Sequence, residues 1–166
     1  MNLETALEEV LKAYTAYYNI NRSSPAEPFA AEAEFSLHDE QYFLIRQAKL
    51  SESDSREYVF FAAVPELTKE EAERFDRIAW ETGHKRVDAR EGHRNTDVCL
   101  VILADHMSNE AAAFVRKSHH YKSYRFGLRG WSNYCLLAYD LSSGKLAHNR
   151  LGERLKGVVA YINQFL

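Results

Sequence analysis

The sequence lacks any long hydrophobic run. A membrane-spanning helix needs about 20 consecutive apolar residues, whereas the longest apolar runs here, residues 58–64 and 98–104, have the length of β-strands. The first residues also lack the basic segment followed by an apolar stretch that marks a secretion signal. We therefore expect a cytoplasmic protein that does not contact membranes.

Cysteine is scarce, since the 166 residues include only two. Cys99 and Cys135 both lie in apolar, strand-like segments, where a free thiol behaves as a small hydrophobic side chain. Neither lies in the glycine-rich, basic kind of turn that activates catalytic cysteines. We expect both to pack in the core, and a disulfide or a reactive thiol is the alternative.

The usual catalytic and cofactor motifs are also absent. The sequence has no Gly-x-Ser-x-Gly elbow of a serine hydrolase, and its predicted strand-to-helix junctions lack the glycines of phosphate-binding loops. The seven histidines and two cysteines do not show the spacings of common metal sites. We expect no cofactor and no metal; if separate segments did form a metal site, His93, Asp97 and Asp105 would be its candidate ligands.

What is present indicates one globular domain over residues 1–166. Hydrophobic residues make up 46% and charged residues 27% of the chain, as in ordinary globular proteins, and the length is too short for two typical domains. Apolar spacing of three and four predicts helices at residues 3–18, 69–82, 109–117 and 150–165. Alternating or continuous apolar runs predict strands at residues 31–37, 42–50, 58–64, 98–104, 121–128 and 133–141, and a short one near Leu146.

This order of elements, α-β-β-β-α-β-α-β-β-β-α, predicts an α/β (mixed α+β) fold. We expect a single three-layer domain with a mixed, partly antiparallel sheet and helices on both faces. Strands 58–64 and 98–104 are apolar on both faces and are joined by a helix, so they should be parallel central neighbours. We expect Gly83 to end that helix and residues 84–96 to form a long loop.

Charge is divided unevenly along the chain. Residues 116–156 carry nine Lys and Arg against two Asp and Glu, in a chain whose formal net charge is -3. Aromatic residues are interleaved with these cations, a mixture suited to a flat or anionic partner. The candidate binding residues are Lys122, Arg125, Arg129, Trp131, Arg94 and Arg150.

Two interpretations of the basic, aromatic segment remain open. In the first, Tyr124 and Phe126 face outward and stack on bases while the cations neutralise phosphates. In the second, both rings belong to the core and the arginines are solvated or paired with acidic residues. Arg94 joins this surface if its loop lies at the carboxyl ends of the neighbouring strands, where open α/β sheets place ligands.

The order of elements also resembles the restriction-endonuclease-like core. The signature of that family is an acidic residue followed, on the next strand, by Asp or Glu, any residue and Lys. Here Glu34 precedes Gln47-Ala48-Lys49, so a glutamine occupies the second acidic position. The resemblance implies a Mg²⁺-dependent nuclease or phosphodiesterase built on Glu34 and Lys49, although the glutamine removes one of the two carboxylates that would hold the ion.

Two functional hypotheses follow from the sequence. The first is a cytoplasmic, non-catalytic binding or adaptor domain whose basic and aromatic surface holds a nucleic acid, an acidic protein surface or the acidic face of a second copy of itself. The second is a divergent metal-dependent nuclease, the one case in which Mg²⁺ is expected as a cofactor.

Overall fold

The computed structural model describes residues 1–36, 54–89 and 93–163. Within these residues the chain forms four α-helices, one 3-10 helix and seven β-strands. The strands are β1 (Asn19–Asn21), β2 (Ala31–Ser36), β3 (Asp54–Leu67), β4 (His93–Met107), β5 (Tyr121–Ser123), β6 (Trp131–Asp140) and β7 (Leu146–His148). The helices are α1 (Leu3–Lys12), α2 (Lys69–Lys85), α3 (Asn109–Lys117), the 3-10 helix (Leu151–Leu155) and α4 (Lys156–Asn163).

The strands form one mixed sheet in the order β1-β2-β3-β4-β6-β5, and β7 also pairs with β6. Strands β3, β4 and β6 are parallel, and the other pairs are antiparallel. Tyr58 lies opposite Val98, and Val64 lies opposite Ala104, so the two apolar strands are parallel neighbours. The predicted α/β fold with a mixed, partly antiparallel sheet is confirmed.

A core lies on each face of the sheet, because successive side chains of a strand point to opposite sides. Phe60 and Leu100 pack with the inner faces of α2 and α3 in one core. Phe61 and Val101 pack with those of α1 and α4 in the other. Burying one such side chain contributes roughly 1.5–3 kcal/mol, so the two cores hold the three layers together.

Three helices begin at the polar side chains that typically cap helices in sequence. Each side-chain oxygen accepts a hydrogen bond from a backbone N–H in the first helical turn, which would otherwise have no partner. The bonds run from Thr5 to Asn2 at 2.8 Å, from Glu71 to Thr68 at 3.1 Å and from Ala111 to Ser108 at 3.0 Å.

Gly83 does not end the second helix, which continues to Lys85. A Cβ atom at Gly83 would lie 2.6 Å from Cγ1 of Val98, so the glycine allows α2 to approach β4 closely. The prediction of a cap there is wrong because this glycine serves packing. The predicted loop 84–96 is also too long, since β4 begins at His93.

The strand predictions near the amino terminus have mixed outcomes. The strand predicted from residue 31 is β2. An additional edge strand, β1, forms just after the first predicted helix and pairs with β2. The predicted strand 42–50 lies outside the described residues. Cys99 and Cys135 are register partners on β4 and β6, and both are buried and free, as the core interpretation predicts.

Candidate functional site

The strand predicted for residues 121–128 is shorter than the sequence suggests. It ends at Ser123, and a turn follows because Gly127 and Gly130 adopt φ angles of 87° and 82°, which are typical of glycine and incompatible with a strand. The turn leads directly into β6. We refer to residues 121–131 as the basic turn.

Backbone hydrogen bonds fix the basic turn. The N–H of Tyr124 donates to the carbonyl of Gly130 at 2.9 Å, and its own carbonyl accepts from Gly127 at 3.1 Å and Arg129 at 3.0 Å. This network holds Arg125 and Phe126 at φ angles of 47° and 55°. That left-handed conformation costs about 1–2 kcal/mol for each non-glycine residue, and such strain is commonly kept at functional sites.

The tip of the basic turn is apolar and exposed. The relative exposure of Phe126 is 103% and that of Leu128 is 83%; Tyr121, at the start of β5, is 55% exposed. The phenyl ring therefore makes no contribution to either core. Its display on a fixed, strained turn favours a role in contacting another molecule.

The other two aromatic residues of the basic turn are half-buried. The hydroxyl of Tyr124 lies 2.9 Å from Oγ of Ser132, and burial raises the pKa of this tyrosine. Trp131 begins β6. The two rings thus differ: Phe126 faces outward, while Tyr124 packs partly against the sheet.

Positive charge surrounds the exposed tip. The sequence contains no Asp or Glu from residue 111 to residue 139. Lys122 and Arg125 are exposed, and Arg129 is half-buried. The Lys122 ammonium lies 5.7 Å from the centre of the Tyr124 ring. Four of the six candidate binding residues, including Trp131, are therefore neighbours in the basic turn.

The remaining two candidates lie on other elements. Arg94 is the second residue of β4 and precedes Asn95, the register partner of Trp131, so its backbone lies at the start of the strand next to the basic turn. Arg150 is exposed and follows Asn149, whose N–H bonds to Leu136. That contact is five residues along β6 from Trp131, roughly 16 Å away.

The sheet places this surface at the amino ends of its parallel strands. β3 and β6 both run parallel to β4, so the segment before β4 lies at the amino side of all three. The expectation of a ligand site at the carboxyl ends therefore does not apply to Arg94. Helix α2 connects β3 to β4, helix α3 lies in the connection from β4 to β6, and both helices cover the same face of the sheet. In doubly wound sheets a ligand crevice opens where successive connections switch to opposite faces, and strands β3, β4 and β6 contain no such switch.

A hydrogen-bonded cluster of Asp76, Ser118 and His120 lies at the same end of the sheet. The Asp76 carboxylate is almost fully buried and accepts hydrogen bonds from Ser118 Oγ at 2.5 Å and from His120 Nε2 at 2.8 Å. These bonds tie the middle of α2 to the segment between α3 and β5. His120 immediately precedes the basic turn.

Aromatic rings hold the His120 imidazole in place. The ring stacks on Trp80 with centroids 5.2 Å apart and an angle of 11°, and it meets Tyr134 edge to face at 4.8 Å. The Tyr134 hydroxyl is buried beside the Asp76 carboxylate. Burial and the Asp76 charge raise the pKa of Tyr134, so the hydroxyl stays protonated.

A second polar cluster lies on the opposite face of the sheet. Glu57 and Asp97 are register partners on β3 and β4, and Arg154 of the 3-10 helix bridges them at 3.5 and 2.9 Å. Burial raises the pKa of Glu57, the Arg154 guanidinium lowers it, and Asp97 raises it. The cluster anchors the 3-10 helix to the sheet.

A surface pocket of about 330 Å³ lies beside this second cluster, between α1 and the 3-10 helix. The Cys99 thiol lies beneath it, 3.3 Å from Arg154 Nη2. A hydrogen bond with Cys135 and burial raise the pKa of Cys99 well above its usual range. This cysteine is therefore a neutral thiol of the core, and it does not supply a nucleophile to the pocket.

The carboxyl ends of the parallel strands carry a structural polar group. Burial alone would raise the pKa of Asp140, but hydrogen bonds from Ser142 Oγ and from the N–H groups of Met107 and Ser143 lower it to about 2. The Ser142 hydroxyl donates its hydrogen to Asp140 at 2.7 Å, so the nearby His106 cannot act as its base. This arrangement does not form a serine nucleophile.

The structure adds little to the nuclease hypothesis. Glu34 lies exposed on β2, opposite Tyr58 of β3, and Lys49 lies outside the described residues. Within residues 1–36, 54–89 and 93–163, no three His, Cys, Asp or Glu side chains are placed to hold a metal ion. Asp97 and Asp105 are eight residues apart on β4, roughly 26 Å, so they cannot share one ion.

Comparison with known proteins gives a family but no function. The sequence profile of a domain of unknown function, DUF8052, matches residues 2–161. The chain belongs to this family. No curated protein and no solved structure shows significant similarity to this chain. Among the residues that the structure describes, no helix has the length and apolar character needed to cross a membrane.

The sequence indicated four residues of the basic turn as candidates, but it did not indicate the cluster around Asp76. Asp76 and His120 are 44 positions apart, and neither belongs to a recognisable motif. One signal was available: Asp76 lies on the inner face of α2, beside the buried Phe75. An acidic residue on the apolar face of a helix needs a partner, although the sequence does not name it.

Proposed function

We propose that the chain is a binding module that holds single-stranded nucleic acid on the basic turn. The full exposure of Phe126, on a turn with two strained residues, is the observation that carries the proposal. Leaving a phenyl ring in water forgoes roughly 1.5–3 kcal/mol of burial. A partner that covers the ring recovers this free energy on binding.

The chemistry of the basic turn suits nucleic acid. Stacking of a base on an aromatic ring contributes about 1–3 kcal/mol and tolerates any base. Phe126 and Tyr121 offer exposed rings, and Lys122 and Arg125 offer exposed cations for phosphates. The absence of carboxylates from residue 111 to residue 139 leaves nothing in this segment to repel a polyanion.

The net charge of -3 does not oppose this proposal. At 0.1 M ionic strength, interactions between exposed charges are largely screened beyond about 10 Å. The cations of the basic turn therefore dominate the potential near Phe126.

Phe126→Ala is expected to weaken binding of a fluorescein-labelled 15-nucleotide oligouridylate by roughly 5- to 150-fold, the loss of one stacked base. Stability should not change, because the ring is fully exposed. Fluorescence anisotropy titration measures the affinity. Tyr17→Ala is the matched control, since Tyr17 is an aromatic residue of 53% exposure outside the basic turn. Equal effects of the two substitutions would contradict the proposal.

Combining Lys122→Ala with Arg125→Ala is expected to reduce the salt dependence of binding. Each phosphate contact to a single strand adds about 0.7 to the slope of log K against log salt concentration, so the slope should fall by about 1.4. Lys69→Ala, at the opposite end of the sheet, should leave the slope unchanged. If no oligonucleotide binds, but polyglutamate binds in a Phe126-dependent way, the partner is instead an acidic protein.

A further inference from the structure

We propose that His120 is the general base of a metal-independent cleavage of the single-stranded RNA held on the basic turn. This inference rests on the proposed function, because it requires RNA beside His120. It adds a reaction to binding, and it assigns a chemical role to the cluster that ties α2 to the segment before β5.

The first argument is the protonation pattern of the Asp76–His120 pair. Asp76 is 5% exposed, and its two oxygens accept hydrogen bonds from Ser118 and from Nε2 of His120. A carboxylate only accepts hydrogen bonds, so Nε2 of the neutral imidazole carries the proton and Nδ1 carries the lone pair. No residue of the described segments forms a hydrogen bond with Nδ1, and the His120 side chain is 29% exposed. Nδ1 is therefore the ring nitrogen left to accept a proton.

The second argument is that the imidazole is fixed in one orientation. Trp80 stacks on one face of the ring, Tyr134 contacts it edge to face, and Asp76 holds Nε2. A catalytic base gains rate when its orientation is set before the substrate arrives.

The third argument is the position of His120 relative to the basic turn. Side chains two residues apart on an extended chain share a face and lie about 7 Å apart, which places His120, Lys122 and Tyr124 in a row. The register supports this, because Lys122 lies opposite Ser132, whose hydroxyl contacts Tyr124. An RNA strand that follows β5 from Lys122 toward its amino end reaches His120 next.

The reaction is a transesterification within RNA. Nδ1 of His120 takes the proton of a ribose 2′-hydroxyl, the 2′-oxygen bonds to the adjacent phosphorus, and the bond from phosphorus to the 5′-oxygen breaks. Water protonates the leaving 5′-oxygen, and the hydroxide so formed takes the proton from the imidazolium. The products are a 2′,3′-cyclic phosphate and a 5′-hydroxyl, and no metal or redox partner is needed. Lys122 offsets the negative charge that grows on the phosphate.

The test is single-turnover cleavage of a fluorescein-labelled 20-nucleotide RNA in EDTA, with saturating full-length protein and products identified by mass. We expect cyclic-phosphate ends from RNA and no cleavage of DNA or 2′-O-methyl RNA, which lack the attacking hydroxyl. His120→Ala should slow cleavage by about 100-fold or more, the usual contribution of a general base. His106→Ala, at the other end of the sheet, should keep the wild-type rate.

Two further variants guard against an effect of unfolding. Lys122→Ala changes an exposed side chain and should lower the cleavage rate at saturation about tenfold. Asp76→Asn, at a positioning residue, should lower the rate while the affinity for 2′-O-methyl RNA stays unchanged. Binding of 2′-O-methyl RNA without cleavage of RNA by the wild type would overturn this inference alone, as would equal cleavage by His120→Ala. Failure to bind either RNA would overturn the proposed function as well.

Discussion

Gly152→Ala is expected to lower the free energy of unfolding by about 3–5 kcal/mol, from overpacking and from lost buried hydrogen bonds. Gly152 is buried in the 3-10 helix, and a Cβ atom there would lie 2.1 Å from the carbonyl oxygen of Leu136 and 2.8 Å from Oδ1 of Asn149. The first contact is with backbone, which cannot rotate away. The 3-10 helix would have to move off β6.

The displaced helix would also break a buried clamp around Asn149. The Asn149 amide oxygen accepts from the N–H of Leu136 at 2.9 Å and of Gly152 at 2.8 Å. Its amide nitrogen donates to the carbonyls of Ser118 at 3.2 Å and Tyr134 at 3.1 Å. Each buried polar group left without a partner costs roughly 1–3 kcal/mol. The clamp connects the 3-10 helix, β6 and the segment that carries His120.

Gly157→Ala is the matched control for this prediction. Gly157 lies in α4, and a Cβ atom there would meet nothing within 4 Å. Because alanine restricts the unfolded chain more than glycine does, this change should raise the free energy of unfolding by about 0.5–1 kcal/mol. Urea denaturation followed by circular dichroism measures both variants. Similar urea midpoints for Gly152→Ala and Gly157→Ala would show that a Cβ atom close to the Leu136 carbonyl does not destabilise the fold.

The sequence was sufficient for features that depend on neighbouring residues. The strands at residues 58–64 and 98–104 are apolar on both faces, which a strand can bury only at the centre of a sheet, and they are parallel neighbours there. Gly83 shows the limit of this reasoning. A glycine near the end of a helix predicts a cap, but its cause here is the contact with Val98, which only the packed structure contains.

The same distinction applies to the candidate site. The charge and aromatic pattern pointed to residues 121–131 as a candidate binding segment, since both are properties of one segment, but the sequence predicted a strand there and not a turn. The alternation of side chains along a strand could not show whether the Phe126 ring faces the core or the solvent. The strand ends before Phe126, because Arg125 and Phe126 adopt positive φ angles. The Asp76–His120 pair could not be predicted at all, as it depends on how α2 packs against the segment after α3.

Arg154→Met is expected to destabilise the protein in a pH-dependent way. At pH 7.5 the free energy of unfolding should fall by about 1–3 kcal/mol, less than for a fully buried ion pair because the Arg154 side chain is half exposed. The substitution leaves the buried Glu57 carboxylate beside Asp97 without the cation that bridges them. Most of the loss should disappear at pH 4.

The direction of the pH effect follows from the raised pKa of Glu57. Burial already raises this pKa above its ordinary value of 4.5, and removing Arg154 removes the interaction that lowers it. Between the unfolded and the folded pKa, the native state binds more protons than the unfolded state, so stability falls as pH rises. Below pH 4.5 the carboxyl group is largely neutral in both states, and the missing cation matters least.

A double substitution and a surface control separate this charge effect from a loss of packing. Adding Glu57→Gln to Arg154→Met removes the unpaired buried charge, so it should recover most of the stability at pH 7.5 and flatten the pH trend. Arg22→Met removes the exposed ion pairs with Glu4 and Glu8 and should cost less than about 1 kcal/mol at either pH. If Arg154→Met costs the same at pH 4 and pH 7.5, Arg154 stabilises the 3-10 helix through its aliphatic stem. The neutralisation of Glu57 would then play no part in anchoring that helix to the sheet.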